Sequence, residues 1–104
     1  MKKKESTGPV LTKRELARAV VSETGMSQQG ALDVVRIVFD AISEALVGGG
    51  RCEFRDFGVF TTSMHKARVG RDPHHPDVTY AVPGHRVVRF RAGQLLRDKV
   101  AKEK

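Results

Sequence analysis

Ala31-Leu32-Asp33-Val34-Val35-Arg36-Ile37-Val38-Phe39-Asp40-Ala41-Ile42-Ser43-Glu44-Ala45-Leu46-Val47 is the stretch that decides the fold. Its polar residues, Asp33, Arg36, Asp40, Ser43 and Glu44, form a thin stripe, and the rest is apolar. A helix that is apolar around most of its circumference must be covered on most sides. The spacing predicts a long second helix, capped at Ser27 and stopped after Val47 by Gly48-Gly49-Gly50.

Upstream, Thr12-Lys13-Arg14-Glu15 has the form of a capping box, with Thr12 accepting from the backbone and Glu15 reaching back. Leu16, Ala19 and Val20 then share one face, Ala17 and Val21 flank it, and Gly25 ends the helix. This amphipathic first helix, about three turns long, cannot cover the second alone. A second copy of the chain can, so the pattern predicts an obligate, intertwined homodimer.

Downstream of the glycines the apolar period changes to two. Cys52 and Phe54 alternate with Glu53 and Arg55, and Val59-Phe60-Thr61-Thr62 continues after a break at Asp56-Phe57-Gly58. A β-hairpin with one apolar face is expected. Residues 61 to about 86 carry Lys66, Arg68, Arg71, Arg86, all four histidines and three of the four prolines, with little to bury. They are expected outside the core, as a protruding ribbon or long loop. Strand character returns at Val87-Val88-Arg89-Phe90, and a short last helix presents Leu95, Leu96 and Val100 on one side. Without tail and ribbon only about 70 residues build the core, a size at which burial is marginal.

The chain of 104 residues has room for one domain, and its net charge of +7 suits a polyanion partner. Residues 1–50 hold 7 basic against 6 acidic side chains, whereas residues 51–104 hold 12 against 6. A binding surface is therefore expected in the C-terminal half. The lone Cys52 excludes an intrachain disulfide and fits a reducing cytosol. No apolar run approaches the roughly 18 residues of a membrane span, and the basic start is not expected to be a secretory signal. Residues 1–10 read as a disordered basic tail, equally a phosphate-touching or a merely solvated end.

Four stretches together resemble one family. Leu11-Thr12-Lys13-Arg14-Glu15-Leu16 resembles the opening of the HU and integration host factor proteins. Asp56-Phe57-Gly58-Val59-Phe60 is similar to their Gly-Phe-Gly-x-Phe turn, and Arg68-Val69-Gly70-Arg71-Asp72-Pro73 to their Arg-x-Gly-Arg-Asn-Pro arm tip. The run from Arg86 to Arg97 is similar to their closing strand and helix. The resemblance covers about residues 11–101 in order and makes 11–104 one domain, with an arm over about 61–86.

The resemblance implies an α+β fold: two N-terminal helices, a three-stranded antiparallel sheet with long arms, a short C-terminal helix, and an intertwined dimer. It also implies an architectural protein of the bacterial nucleoid, hence cytoplasmic, that binds double-stranded DNA in the minor groove and bends it. A proline wedge unstacks a base step at a cost of a few kcal/mol, offset by contacts on the bent duplex. Pro73 matches the wedge, Arg68 and Arg71 the basic arm, and Lys13, Arg91 and Arg97 the phosphate contacts of the body. Gln94 stands where HU commonly has lysine and integration host factor often has glutamine. Lys66, Arg86 and Arg89 join the candidate site on charge and location, and His65, His74 and His75 as phosphate-facing imidazoles. Asp72 departs from the usual asparagine, His75-Pro76 from the usual Thr-Gly, and the arm is one residue longer.

Other readings are weaker. Pro73 could simply start a turn, as Asp-Pro pairs do. A histidine metal site is disfavoured, since His74 and His75 would point to opposite faces of a strand and no second pair has ligand spacing. The five phenylalanines sit in core patterns, Cys52 reads as a small buried hydrophobe, and Tyr80 has no assigned place. With no paired carboxylates, phosphate loop or nucleophile motif, no enzyme, cofactor or small-molecule substrate is expected. A related second chain could replace the identical partner. The alternative function is an RNA-binding or protein-scaffolding module that keeps the fold without bending DNA.

Overall fold

A computed structural model describes residues 8–102. The tail expected over residues 1–10 therefore lies largely outside the described residues. The chain forms two compact units, Met1–Ala41 and Ile42–Lys104.

In the first unit, α1 spans Lys13–Thr24 and begins where Thr12 accepts a hydrogen bond from the Glu15 amide at 3.2 Å. Only half of the capping box forms. The Glu15 carboxylate takes Arg18 at 3.0 Å, one turn along, because a guanidinium offers it a charge-assisted partner. Gly25 (φ 78°) closes the helix in the left-handed region, its amide bonded to Val21 O at 2.8 Å. Ser27 then caps α2, Gln28–Val47, by accepting from the Gly30 amide at 3.0 Å. The helices meet at Ala17 and Ala31, both wholly buried, with Val35 beside them and Leu16, Val20, Val21 and Leu32 packed around. Small residues at the contact let the two backbones approach. Leu46 is also buried and Ile42 half-buried, but the middle of α2 remains uncovered, with Ile37 66% exposed and Val34, Val38 and Phe39 also exposed.

In the second unit, α2 ends in a Schellman motif: Gly49 N–H donates to Leu46 O and Gly50 N–H to Ala45 O, with Gly49 at φ 88°. Strands β1 (Cys52–Phe54), β2 (Gly58–His65) and β5 (His85–Ala92) form an antiparallel sheet in the order β1-β2-β5. The β1–β2 turn is closed by Phe57 N–H donating to Phe54 O at 3.0 Å, and Asp56 sits at φ 66°. Cys52, Phe60 and Phe90 are register partners across the three strands. Phe54, Phe57, Phe60 and Phe90 form one aromatic cluster, with Phe60 and Phe90 centroids 4.7 Å apart. Cys52 is buried, its thiol directed at Ile42 O, as its strand position suggested.

The segment expected as an arm over 61–86 divides into two parts. The β2–β5 ladder continues unbroken to His65↔His85, so residues 61–65 and 85–86 belong to the body sheet. Beyond Lys66-Ala67 and Pro83-Gly84, β3 (Arg68–Asp72) and β4 (His75–Val82) form a separate two-stranded ribbon. Thr61, Thr62 and Ser63 are half-buried, and the ladder runs on past them through backbone hydrogen bonds where Met64, His65, His85 and Arg86 are exposed. Last, α3 (Gln94–Lys102) starts at Gly93, whose amide donates to Phe57 O at 2.8 Å.

Large side chains find little cover in one chain. Among the described residues none larger than alanine is fully buried, and Phe54, Phe57, Phe90, Leu95 and Val100 are exposed.

Candidate nucleic-acid interface

The ribbon carries five of the sequence-predicted residues. Arg68↔Val82, Val69↔Ala81, Gly70↔Tyr80 and Arg71↔Thr79 pair in regular register. Alternation then places Arg68 with Gly70 and Tyr80 on one face, and Arg71 with Val69 and Thr79 on the other. The register shifts after Arg71, so that Asp72 pairs with His75 and residues 76–78 form an irregularity in β4. Pro76 suits that place because it has no amide to give a ladder. The tip is the two-residue turn Pro73-His74, both exposed.

Asp72 builds this tip. Its Oδ1 accepts from the His74 amide at 2.9 Å, and its Oδ2 lies 3.5 Å from His75 Nδ1. A short carboxylate bonding two residues onward is the usual chemistry of such a turn. His74 thus lies in the turn rather than in a strand. The expectation that His74 and His75 alternate across a strand is corrected, because the hairpin closes one residue earlier than their adjacency implied.

Where ribbon meets sheet, the outer face of β2–β5 collects Ser63, His65, His85 and Arg89. Arg89 Nε donates to Ser63 Oγ at 3.0 Å and its Nη2 lies 3.0 Å from His65 Nε2. A guanidinium has donors only, so His65 Nε2 accepts here. His65 and His85, cross-strand partners, have ring centroids 5.5 Å apart, and His85 Nδ1 donates to Pro83 O at 3.2 Å. His65 therefore orients Arg89. Lys66 follows in the exposed connection, and Arg91 shares the Arg89 face two residues along.

Arg86 faces the other way. Its Nη2 donates to the carbonyl oxygens of Val47 at 2.7 Å and Leu46 at 3.4 Å, the free end of α2. Placed in the candidate site on charge and location, Arg86 caps a helix in this structure, because its strand parity turns it from Arg89 and toward the carbonyl end of α2.

On α3, Arg97 Nη2 donates to Gln94 Oε1 at 2.7 Å and Gln94 Nε2 donates to Asp98 Oδ1 at 2.8 Å. Gln94 thus holds Arg97 in place on an exposed surface. In the first unit Lys13 Nζ lies 5.4 Å from the Phe39 ring centroid, a cation–π contact. Among the described residues, Lys66, Arg68, Arg71 and Arg91 make no ion pair. Unneutralised cations on ribbon and sheet suit a polyanion. No group of three metal-ligating side chains converges among the described residues, and no described helix is long and apolar enough to cross a membrane.

The profile of the family described as "Bacterial DNA-binding protein" matches residues 11–101. The chain belongs to this family. Among bacterial DNA-binding proteins, it is 36% identical over 95 residues to integration host factor subunit alpha of Jannaschia sp., covering 91% of this chain and 94% of that one. It is 33% identical over 93 residues to the subunit of the same name from Caulobacter vibrioides, covering 89% and 92%. An Anabaena HU–DNA cocrystal structure superposes with a TM-score of 0.77 at 34% identity, covering 86% of this chain and 97% of that one. An HU variant from Thermotoga maritima, 21% identical with a TM-score of 0.61 over 86% and 97%, shares the fold. The α+β architecture read from the sequence is thus the HU architecture.

Sequence reasoning missed Tyr80, Ser63, His85 and Asp98 as partners of the site. Tyr80 lies across Gly70, and a Cβ added at Gly70 would overlap its ring. Nothing local marks that contact, since it depends on a cross-strand register ten residues apart.

Proposed function

We propose that this protein binds double-stranded DNA as a dimer, lays its ribbon in the minor groove and bends the duplex by inserting Pro73. The observation that carries this reading is the tip: an exposed proline at the end of a ribbon whose two arginines, Arg68 and Arg71, stand on opposite faces. A ribbon in a groove meets phosphates along both walls, and arginine suits a narrow groove's negative potential. Proline is rigid and apolar, so it wedges a base step without losing rotamer entropy. Arg89, Arg91, Gln94 and Arg97 would follow the flanking backbone, with Lys13 and Lys66 adding charge.

The uncovered apolar face of α2 and the half-exposed phenylalanines support dimerisation. An identical chain is the simplest partner. The relatives named as alpha subunits make a related second chain the other arrangement. The role is architectural and non-catalytic, organising the nucleoid in the cytoplasm.

End-to-end energy transfer across a duplex of about 35 base pairs, well below the persistence length, tests the reading. The native protein should bring the ends together at saturation, and Pro73→Ala should bind but bring them less close. Equal approach by both proteins would remove the wedge. Binding with no approach by either would remove bending altogether.

A further inference from the structure

We infer that Tyr80 is the positioning residue of the ribbon: closed over Gly70, it holds the arm in its paired form before DNA arrives. This rests on the proposed bending function for its consequence, though not for its structural part.

Two-stranded ribbons are marginal in water, because few side chains are buried when they pair. Here the regular register amounts to Arg68–Arg71 against Thr79–Val82, since the ladder is interrupted beyond Arg71. Within it Gly70 is the one buried position of the described ribbon. What buries it is the Tyr80 ring, itself 52% exposed on its other side. Glycine has no side chain to pack, and an aromatic residue directly opposite supplies the missing contact from the partner strand. The two residues are complementary: the ring occupies the space that any Cβ at Gly70 would need. Val69, by contrast, is 71% exposed and packs little against Ala81. The Gly70–Tyr80 pair is therefore the principal side-chain packing that the ribbon has.

Its consequence follows from when order is acquired. An arm already paired loses less conformational freedom on entering a groove, so more of its contact energy remains to bend the duplex. Loosening the arm should therefore weaken bending, because the order absent from the free protein must be acquired in the groove.

The test uses the full chain, with Tyr80→Ala, Tyr80→Phe, Gly70→Ala and the Gly70→Ala/Tyr80→Ala pair. Amide hydrogen exchange of the DNA-free protein reads the structural part. Residues 68–71 and 79–82 should exchange about three- to fivefold faster in Tyr80→Ala, with β1, β2 and β5 unchanged and Tyr80→Phe close to native. Gly70→Ala should loosen the ribbon when Tyr80 is present and have little effect when it is replaced, since the clash then disappears. Native exchange in Tyr80→Ala, or equal damage from Gly70→Ala in both backgrounds, would overturn the brace. Energy transfer on DNA reads the functional part. Tyr80→Ala should bend a straight duplex less, with a smaller deficit on nicked DNA, and Tyr80→Phe should bend normally. A loosened ribbon that bends DNA as the native protein does would overturn the link to bending. If the native chain itself fails to bend DNA, the proposed function falls, while the exchange data still decide the brace.

Discussion

Arg86 donates to the carbonyl oxygen of Val47 at 2.7 Å and so closes the C-terminus of α2 with a cation. A positive charge there is worth about 0.3–1 kcal/mol at an exposed site. Arg86→Ala should lower the melting temperature by a few degrees and leave the salt dependence of DNA binding unchanged. Arg89→Ala, on the opposite face of β5, should do the reverse. Parallel melts and salt titrations of the two variants separate cap from phosphate contact. A flatter salt slope for Arg86→Ala would return it to the DNA surface.

Asp56 occupies the left-handed region (φ 66°) in the β1–β2 turn, where the family pattern has glycine. That conformation costs a residue with a Cβ about 1–2 kcal/mol, less for Asp, which bonds locally. Asp56→Gly should therefore raise stability slightly, by about 0.5–1 kcal/mol, and Asp56→Val should lower it. Denaturant midpoints check both, and a destabilised glycine variant would mean that the carboxylate makes a contact worth more than the strain.

Asp72 serves the tip turn through Oδ1 while carrying a charge toward the proposed phosphate surface. Asp72→Asn keeps the acceptor for the His74 amide and removes the charge. DNA affinity should rise severalfold at low salt, with less gain as salt increases. Asp72→Ala loses the turn as well and should not show this gain. Fluorescence anisotropy at two ionic strengths distinguishes them, and equal affinities for native and Asn proteins would place the tip away from phosphate.

The apolar face of α2 predicts a dimer at micromolar concentration whose thermal unfolding depends on protein concentration. Phe39 lies on that uncovered face, 37% exposed in the single chain. Phe39→Glu should abolish the folded state rather than merely weaken DNA binding, since the charge would be buried unpaired in a dimer. Sedimentation showing a folded monomer of either protein would contradict this.

Arg91 and Arg97 should each contribute to counterion release. Each alanine variant should flatten the log–log salt slope by about 0.9 for every phosphate contact removed, hence about 2 per homodimer. Circular dichroism should report intact folding. An unchanged slope for both would take them off the DNA-facing surface, with Arg97 then serving only its bond to Gln94.

Much of this protein was legible in its amino acids because the signals are local. Thr12 and Ser27 as caps, Gly25 and Gly49 as left-handed stops, the helical period through α2 and the change to a period of two at Cys52 all act within a few residues. The family resemblance, carried by the turn at Asp56-Phe57-Gly58 and the tip at Arg71-Asp72-Pro73, added the three-stranded antiparallel sheet and settled on an arm where composition allowed a ribbon or a loop. Only the tertiary structure decided which way the basic residues face. Arg86 and Arg89 are three residues apart and equally charged, yet strand parity sends one to the end of α2 and the other to Ser63 and His65. Likewise Glu15 abandons its cap for Arg18, His74 falls into the turn, and Tyr80 finds Gly70. Composition and period specify which elements form, because backbone sterics and burial act over short stretches. Partner choice among polar groups turns on register and distance to within about an ångström, and those exist only once the strands have paired.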